Sequence, residues 1–240
     1  MRHGHYIGAL TMSIDLTARK VFIALCLIIA FLVTANVTGI IMKYWLDHDH
    51  VFGLVKFFDL NTENNAPSFY SALAIIFCSI LLTFICLSQQ GVKRIQWGGL
   101  ALLFFYLGLD EALQLHDRLD IPLRTALGTS GVLRHAWIIP YGIMLLALLA
   151  IYGKFLLQLD KATRIRFIAS GIVFVVGAIG FEILSGLREA AVGYKNAGYA
   201  FIYTVEEFLE MMGIALFARA LVIYLEENVG QIQLEFGEQS

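Results

Sequence analysis

The sequence is poor in charged residues, and this scarcity excludes several classes of protein. Asp, Glu, Lys and Arg make up 15% of the 240 residues, whereas a soluble domain has about 25%. The formal net charge of −2 leaves no excess of basic side chains for phosphates, so we expect no nucleic-acid partner. So little charge beside 59% hydrophobic residues is typical of a membrane protein.

The sequence also lacks the short motifs of several enzyme classes. It contains no glycine-rich phosphate loop and no Gly-x-Ser-x-Gly motif, so neither nucleotide binding nor a nucleophile elbow is indicated. The three cysteines, Cys26, Cys78 and Cys86, form no Cys-x-x-Cys pair. We therefore interpret them as packed apolar side chains.

What the sequence does have is long apolar stretches, which predict membrane-spanning helices. A helix needs about 20 apolar residues to cross the hydrocarbon core. Six stretches fit this length, at about 21–42, 68–88, 97–117, 135–157, 166–187 and 199–225. The predicted fold class is all-α: a polytopic membrane protein whose six transmembrane helices form one domain, 1–240, with short loops.

The loops carry further local predictions. In the first outer loop, residues 50–58 (HVFGLVKFF) are aromatic and weakly charged, which predicts an interfacial segment. Ser68 is a plausible N-cap of the second helix. Pro122 and Gly128 disfavour a continuous helix in the second outer loop.

Basic residues predict the orientation of the bundle. Lys and Arg fall more often in the loops on the side of the membrane where the N-terminus lies, most densely between Lys154 and Arg166. Because positive loops stay inside, we expect cytoplasmic N- and C-termini in a bacterial-type inner membrane.

Acidic residues interrupt three of these helices at a similar depth. Asp110 and Glu111 would lie about 10 Å below the outer interface at 1.5 Å per residue, and Glu206 lies at a comparable level on the sixth helix. Each ionisable group in a bilayer costs about 2.5–3.5 kcal/mol on insertion scales. The acids must therefore pair, take up protons or bind a cation.

This pattern predicts a cation-binding site in the outer half of the bilayer. The predicted metal ligands or proton carriers are Glu111, His116, Glu182, Glu206 and Glu210. Asp110, Glu207 and Arg188 would support them. Carboxylate-rich sites favour iron or manganese, and zinc is the third candidate. No catalytic residue can be assigned.

Several functions fit this site. The first is a metal-dependent enzyme that acts on a lipid-like substrate. The alternatives are a proton- or cation-coupled transporter or channel, and an accessory subunit of a larger membrane complex. The expected partners are membrane lipid and either other membrane subunits or a second copy of the chain. The acids could also simply pair with Arg118 or Arg188, or lie at the wet interface.

Histidines elsewhere are weaker candidates. His3 and His5 are predicted on the cytoplasmic side, whereas His48 and His50 are predicted outside, so the two His-x-His pairs cannot form one site. We interpret both pairs as solvated surface, although His48 or His50 could complete a metal shell.

Two short segments slightly resemble the alkaline ceramidase superfamily of membrane hydrolases. They are ENNAPS, residues 63–68, and LDEALQLHD, residues 109–117. That likeness would imply a zinc site with Ser68, Asp110 and His116 as site residues. The chain departs from the family in having six predicted helices rather than seven. It also has Glu206–Glu210 (EEFLE) where the family has a late His-x-x-x-His pair.

Overall fold

The computed structural model describes residues 12–15, 17–229 and 233–236. Within these ranges the chain is helical apart from its loops and one antiparallel ribbon, β1 (Met12–Asp15) paired with β2 (Gln233–Phe236). The helices are α1 (Ala18–Trp45), α2 (Leu54–Phe57), α3 (Ala66–Ser88), α4 (Gly91–Leu113), α5 (Leu115–Leu127), α6 (Ile138–Gln158), α7 (Lys161–Val175), α8 (Glu182–Val192) and α9 (Ala197–Asn228). A π-helical segment, Val176–Phe181, joins α7 to α8.

Five helical stretches of the described chain are long and apolar enough to cross a membrane. The number rises to six if the bent pair α4–α5 counts as one span. The prediction of a helical chain with several apolar spans is thus confirmed. The small β-ribbon was not predicted.

Helix α9 lies at the centre of the bundle, where it packs against α1, α3, α7, α8 and the π-segment. A buried aromatic group extends this core to the flanking helices. The fully buried ring of Trp97 on α4 contacts Phe155 of α6, Phe167 of α7 and Tyr224 of α9. Since ring contacts of this kind add to simple burial, Trp97 ties four helices together at one end.

The third predicted span, 97–117, ends earlier than expected because the helix breaks at Gln114. This residue adopts a left-handed conformation with φ of 55°, which ends α4 at Leu113. The axis then turns by 76° into α5. Asp110, Gln114 and Asp117 are spaced i, i+4, i+7, which would place them on one face of an unbroken helix, and the break at Gln114 rules out this common face.

Two local predictions are also corrected. Asn65, not Ser68, caps α3: its side chain accepts the Ser68 backbone N–H, while the Ser68 hydroxyl accepts the Asn65 N–H in a reciprocal capping box. Helix α5 continues through Pro122, whose ring is exposed, and stops only at Gly128 with φ of 63°.

The loop between α1 and α3, which the sequence predicts to be the first outer loop, is fixed to the bundle by one buried amide. Asn36 of α1 donates to Thr204 of α9 (2.9 Å) and accepts the backbone N–H of Leu60 (3.1 Å). The predicted interfacial segment 50–58 contains only the single turn of α2. Anchoring at Leu60 holds the rest of this loop, including Glu63, over the end of the bundle.

Close packing at Gly213 gives a test of the central position of α9. A Cβ atom at Gly213 would lie 2.7 Å from the backbone nitrogen of Phe174, whereas one at Gly153 would meet nothing within 4 Å. We expect Gly213→Ala to lower the unfolding free energy by about 1–3 kcal/mol through overpacking. Gly153→Ala should raise it by about 0.5–1 kcal/mol through helix propensity. Thermal unfolding in detergent measures both, and equal shifts would contradict the packing.

Candidate functional site: an acidic and histidine cluster

Asp110 and His116 meet across the break between α4 and α5. The buried carboxylate of Asp110 accepts the backbone N–H of His116 at 2.9 Å, and its other oxygen lies 3.1 Å from His116 Nδ1. The carboxylate thereby caps the first turn of α5, whose N–H groups have no partner within the helix. In an unbroken helix His116 would lie on a different face from Asp110, six residues earlier, and the bend is what brings them together.

Aromatic side chains of α6 and the turn before it enclose this pair. The Trp137 ring lies 5.0 Å from the His116 ring, and Tyr141 lies 6.1 Å from it. The Tyr141 hydroxyl lies near Asp110 and 3.1 Å from the hydroxyl of Tyr106. The pair therefore has a mostly apolar surrounding with a few defined polar contacts.

A second acid–histidine pair joins the start of α8 to the segment before α6. His135 Nδ1 lies 3.2 Å from Glu182 Oε1, and the indole N–H of Trp137 donates to the same oxygen at 3.0 Å. Arg134 forms a two-point ion pair with Glu189, and its Nε lies 2.9 Å from Glu189 Oε2. Gly186 makes room for this contact, because a Cβ there would lie 2.9 Å from the His135 ring.

The acids of α9 face the π-segment. A Cβ at Gly177 would lie 2.9 Å from the Glu206 carbonyl oxygen and 3.1 Å from the Glu210 nitrogen, so glycine is what permits this close approach. Glu206 is buried and close enough to Glu182 to share a hydrogen bond. Glu207 and Glu210 are partly buried, and both have Glu111, Glu182 and Glu63 as acidic neighbours.

Glu63 belongs to this cluster, and sequence reasoning missed it. Its Oε2 atom is buried and has no hydrogen-bond partner within the described part of the chain. Burial is the main cause that raises the pKa of the Glu63 carboxyl, and the charge of Asp117 adds to it. The nearby His116 and the Ser68 hydroxyl act in the opposite direction. The available sequence signal for Glu63 was a carboxyl two residues before an N-cap, in a loop at about the same level as Asp110.

A cavity of about 560 Å³ opens beside the cluster, between the first outer loop, α3 and α4. Most of its wall is apolar, with Phe57, Phe69, Tyr70 and Leu73 among the lining side chains. Glu111 is its acidic residue. Its volume falls in the range of about 300–1,000 Å³ that is usual for small-molecule sites.

The structure brings together most of the predicted site residues but rearranges their roles. Asp110 bonds His116 directly instead of supporting it from behind, whereas Glu111 points to the cavity. Arg188 donates to Asn196 at 3.3 Å. The basic residue of the cluster that forms an ion pair is Arg134, whose partner is Glu189. Arg118 forms no ion pair within the described part of the chain.

The predicted metal ligands are close in space but not convergent. Within the described residues, no three His, Cys, Asp or Glu side chains are arranged to hold a metal ion. His48 and His50 are exposed, and His3 and His5 lie outside the described residues. A metal at this site stays a prediction.

Comparison with known proteins gives one match. A family model described as a domain of unknown function, DUF8692, matches residues 21–225. The chain belongs to the DUF8692 family. No curated protein matches the chain, and no solved structure matches it. The matched region of this DUF8692 chain runs from α1 almost to the end of α9, so it includes the whole acidic and histidine cluster.

The pKa shift of Glu63 predicts a pH-dependent stability. Because the folded chain holds the Glu63 proton more tightly than the unfolded chain does, stability falls as pH rises above the ordinary carboxyl pKa. Glu63→Gln removes this loss of stability. We therefore expect the variant to melt at a higher temperature than wild type at neutral pH, and the two melting temperatures to be equal below about pH 4. Asp49→Asn, an exposed acid in the same loop, is the matched control. A pH-independent effect of Glu63→Gln would contradict the shift.

The Asp110–His116 contact predicts that two nearby acids, Asp110 and Asp117, contribute unequally to the unfolding free energy. Asp110 is buried, whereas the Asp117 side chain is 49% exposed and lies 3.7 Å from His116 Nε2. We expect Asp110→Asn to lower the unfolding free energy by about 1.5–3 kcal/mol, since it weakens a charged hydrogen bond. Asp117→Asn should change it by at most about 0.5 kcal/mol. Denaturation in detergent compares them, and similar losses would show that the cap is unimportant.

Proposed function

We propose that this protein is a multi-pass membrane protein that binds and carries cations, protons first, through its acidic and histidine cluster. In this proposal the cluster lies in the outer half of an inner membrane of bacterial type, and both termini are cytoplasmic. The apolar helices support membrane embedding. The excess of Lys and Arg in the loops on the same side of the membrane as the N-terminus supports the orientation.

The observation that carries this proposal is the imbalance between acids and bases in the cluster. Arg134 is occupied by Glu189, and His116 and His135 each lie against another carboxylate. Glu206, Glu207 and Glu210 form no ion pair with a basic side chain among the described residues. Ionised carboxylates without partners are too costly in apolar surroundings. Protons or a bound cation must therefore balance them.

The backbone beside these acids supports a carrier role. The π-segment Val176–Phe181 lies directly against Glu206 and Glu210, and π-helical insertions occur frequently at functional sites. Neighbouring carboxyls on α8 and α9, such as Glu182 and Glu206, are near enough to share a proton. A proton can pass along such a series one carboxyl at a time, because each carboxyl needs to be ionised only in turn while its neighbours stay protonated.

Proton flux tests this proposal directly. The protein is reconstituted in liposomes that hold a pH-sensitive dye, and the outside is acidified. Wild type should dissipate the pH gradient faster than empty liposomes. Glu206→Gln, Glu207→Gln and Glu210→Gln should each slow this flux by roughly tenfold or more, because an amide cannot release a proton.

The control for this experiment is an acid on the same helix outside the cluster. Glu227 of α9 is exposed and pairs with Arg166 at 3.4 Å, so Glu227→Gln should keep the wild-type flux. Thermal unfolding confirms that every variant is folded. Wild-type flux equal to that of empty liposomes, or equal loss in Glu227→Gln, would contradict the proposal.

A metal-dependent enzyme that acts on a lipid-like substrate is the second candidate. The cavity beside Glu111 favours it, because its apolar wall fits an acyl chain. A metal would require the side chains of Glu111, Glu210 and His116 to converge further than they do here. Elemental analysis of the purified protein beside the Glu206→Gln, Glu210→Gln double variant distinguishes the two candidates. Stoichiometric iron, manganese or zinc that is lost in the variant would favour the enzyme, and stable copurification with other subunits would favour an accessory role.

A further inference from the structure

The cavity beside α3 and α4 has the shape of a site for an amphiphile. Its wall includes the rings of Phe57, Phe69 and Tyr70 and the side chain of Leu73. Phe57, Phe69 and Leu73 are each at least half exposed, so these apolar groups are accessible from outside the bundle. An elongated apolar chain can therefore lie along this wall while its polar end reaches the inner part of the cavity.

Charge at the cavity selects the polar end of that ligand. Glu111 lines the cavity, and no Lys, Arg or His lines it among the described residues. The Glu63 carboxyl lies next to Glu111, and its buried Oε2 has no hydrogen-bond partner among the residues that the structure describes. The nearest histidine, His116, is held by Asp110. The field in the cavity therefore favours a cation and repels an anion.

The uncharged polar groups of the wall are mostly engaged already. Asn65 donates its amide to the carbonyls of Asp59 (2.7 Å) and Thr62 (2.6 Å), and the Ser68 hydroxyl lies 3.2 Å from Asn65 Oδ1. These donors are not available to a carboxylate, phosphate or carbonyl head group. What remains is the exposed amide of Asn64, the acceptor Glu111 and the aromatic rings, and the last two attract a cation.

We infer that the cavity is a binding site for an amphiphile with a positively charged nitrogen, held between the carboxylate of Glu111 and the aromatic wall formed by Phe57, Phe69 and Tyr70. The inference rests on the proposed cation-binding function and names the class of organic cation that the same acidic cluster admits. The alkyl chain occupies the side of the cavity next to Leu73.

Photolabelling tests this site in the full-length protein. The protein is placed in phosphatidylcholine nanodiscs with an alkyltrimethylammonium probe that carries a diazirine in its chain, and labelled peptides are mapped by mass spectrometry. Three competitors with the same chain length are compared: dodecyltrimethylammonium, dodecanol and dodecanesulfonate. We expect labelling within residues 57–73 and at 111–112. The cation should compete at least about tenfold better than the alcohol, as a charged contact implies.

Two variants and one control separate the head-group contact from the cavity itself. Glu111→Gln should reduce the preference for the cation over the alcohol to nearly one, because it removes the charge and keeps the shape. Leu73→Trp should reduce labelling by the probe altogether, because it fills the cavity. Glu227→Gln should label as wild type does.

The outcomes are distinct from those of the proton-flux experiment. Equal competition by the cation and the alcohol, labelling that survives Glu111→Gln unchanged, or no labelling of these segments would each overturn the inference. If flux depends on Glu206 and Glu210 but labelling fails, only the organic-cation site is wrong. If labelling depends on Glu111 but wild-type flux is absent, the cavity binds its cation and the proposed proton carriage is wrong.

Discussion

The contact between Asp110 and His116 is the interaction on which the geometry of the site depends. One oxygen of Asp110 accepts the His116 backbone N–H and the other lies against the imidazole. This double contact compensates for the left-handed backbone at Gln114, which costs free energy in a residue other than glycine. The resulting turn of 76° directs α5 away from the bundle and leaves His116 against Trp137. Without it, α4 would continue straight and His116 would face away from the acids.

Trp137 connects the two halves of the cluster. Its ring packs on His116, while its indole N–H donates to Glu182, which His135 also contacts. The two acid–histidine pairs thus share one rigid aromatic residue. A change of charge at one pair is felt at the other, because Trp137 contacts both pairs and the dielectric inside a protein is low. This coupling suits a site in which protons or a cation are exchanged among several carboxyls.

Small residues determine how closely the helices that bear these carboxyls can approach one another. Gly177 lets the π-segment approach the backbone of Glu206 and Glu210, and Gly186 makes room for the His135 ring. In apolar surroundings no hydrophobic effect drives helices together, so close packing at small residues is what stabilises their association. It also places carboxyls from separate helices near one another, so their charges must be compensated locally. The packing and the chemistry of the site are therefore consequences of the same glycines.

The sequence by itself determined the class of fold and the chemistry available at the site. Continuous apolar stretches require helices, because their length matches a membrane and their backbone groups must be paired internally. Acids within such stretches are expensive enough to predict a functional site, which is why Asp110, Glu111, Glu182, Glu206 and Glu210 could be named as candidates without a structure. Only the tertiary structure decided which of them meet. Periodicity assumes an unbroken helix, so it could not show the break at Gln114 that brings His116 to Asp110. Glu63 and Arg134 lie in or beside loops, where spacing along the chain carries no information on direction, and the cavity between the first outer loop, α3 and α4 exists only after those elements pack.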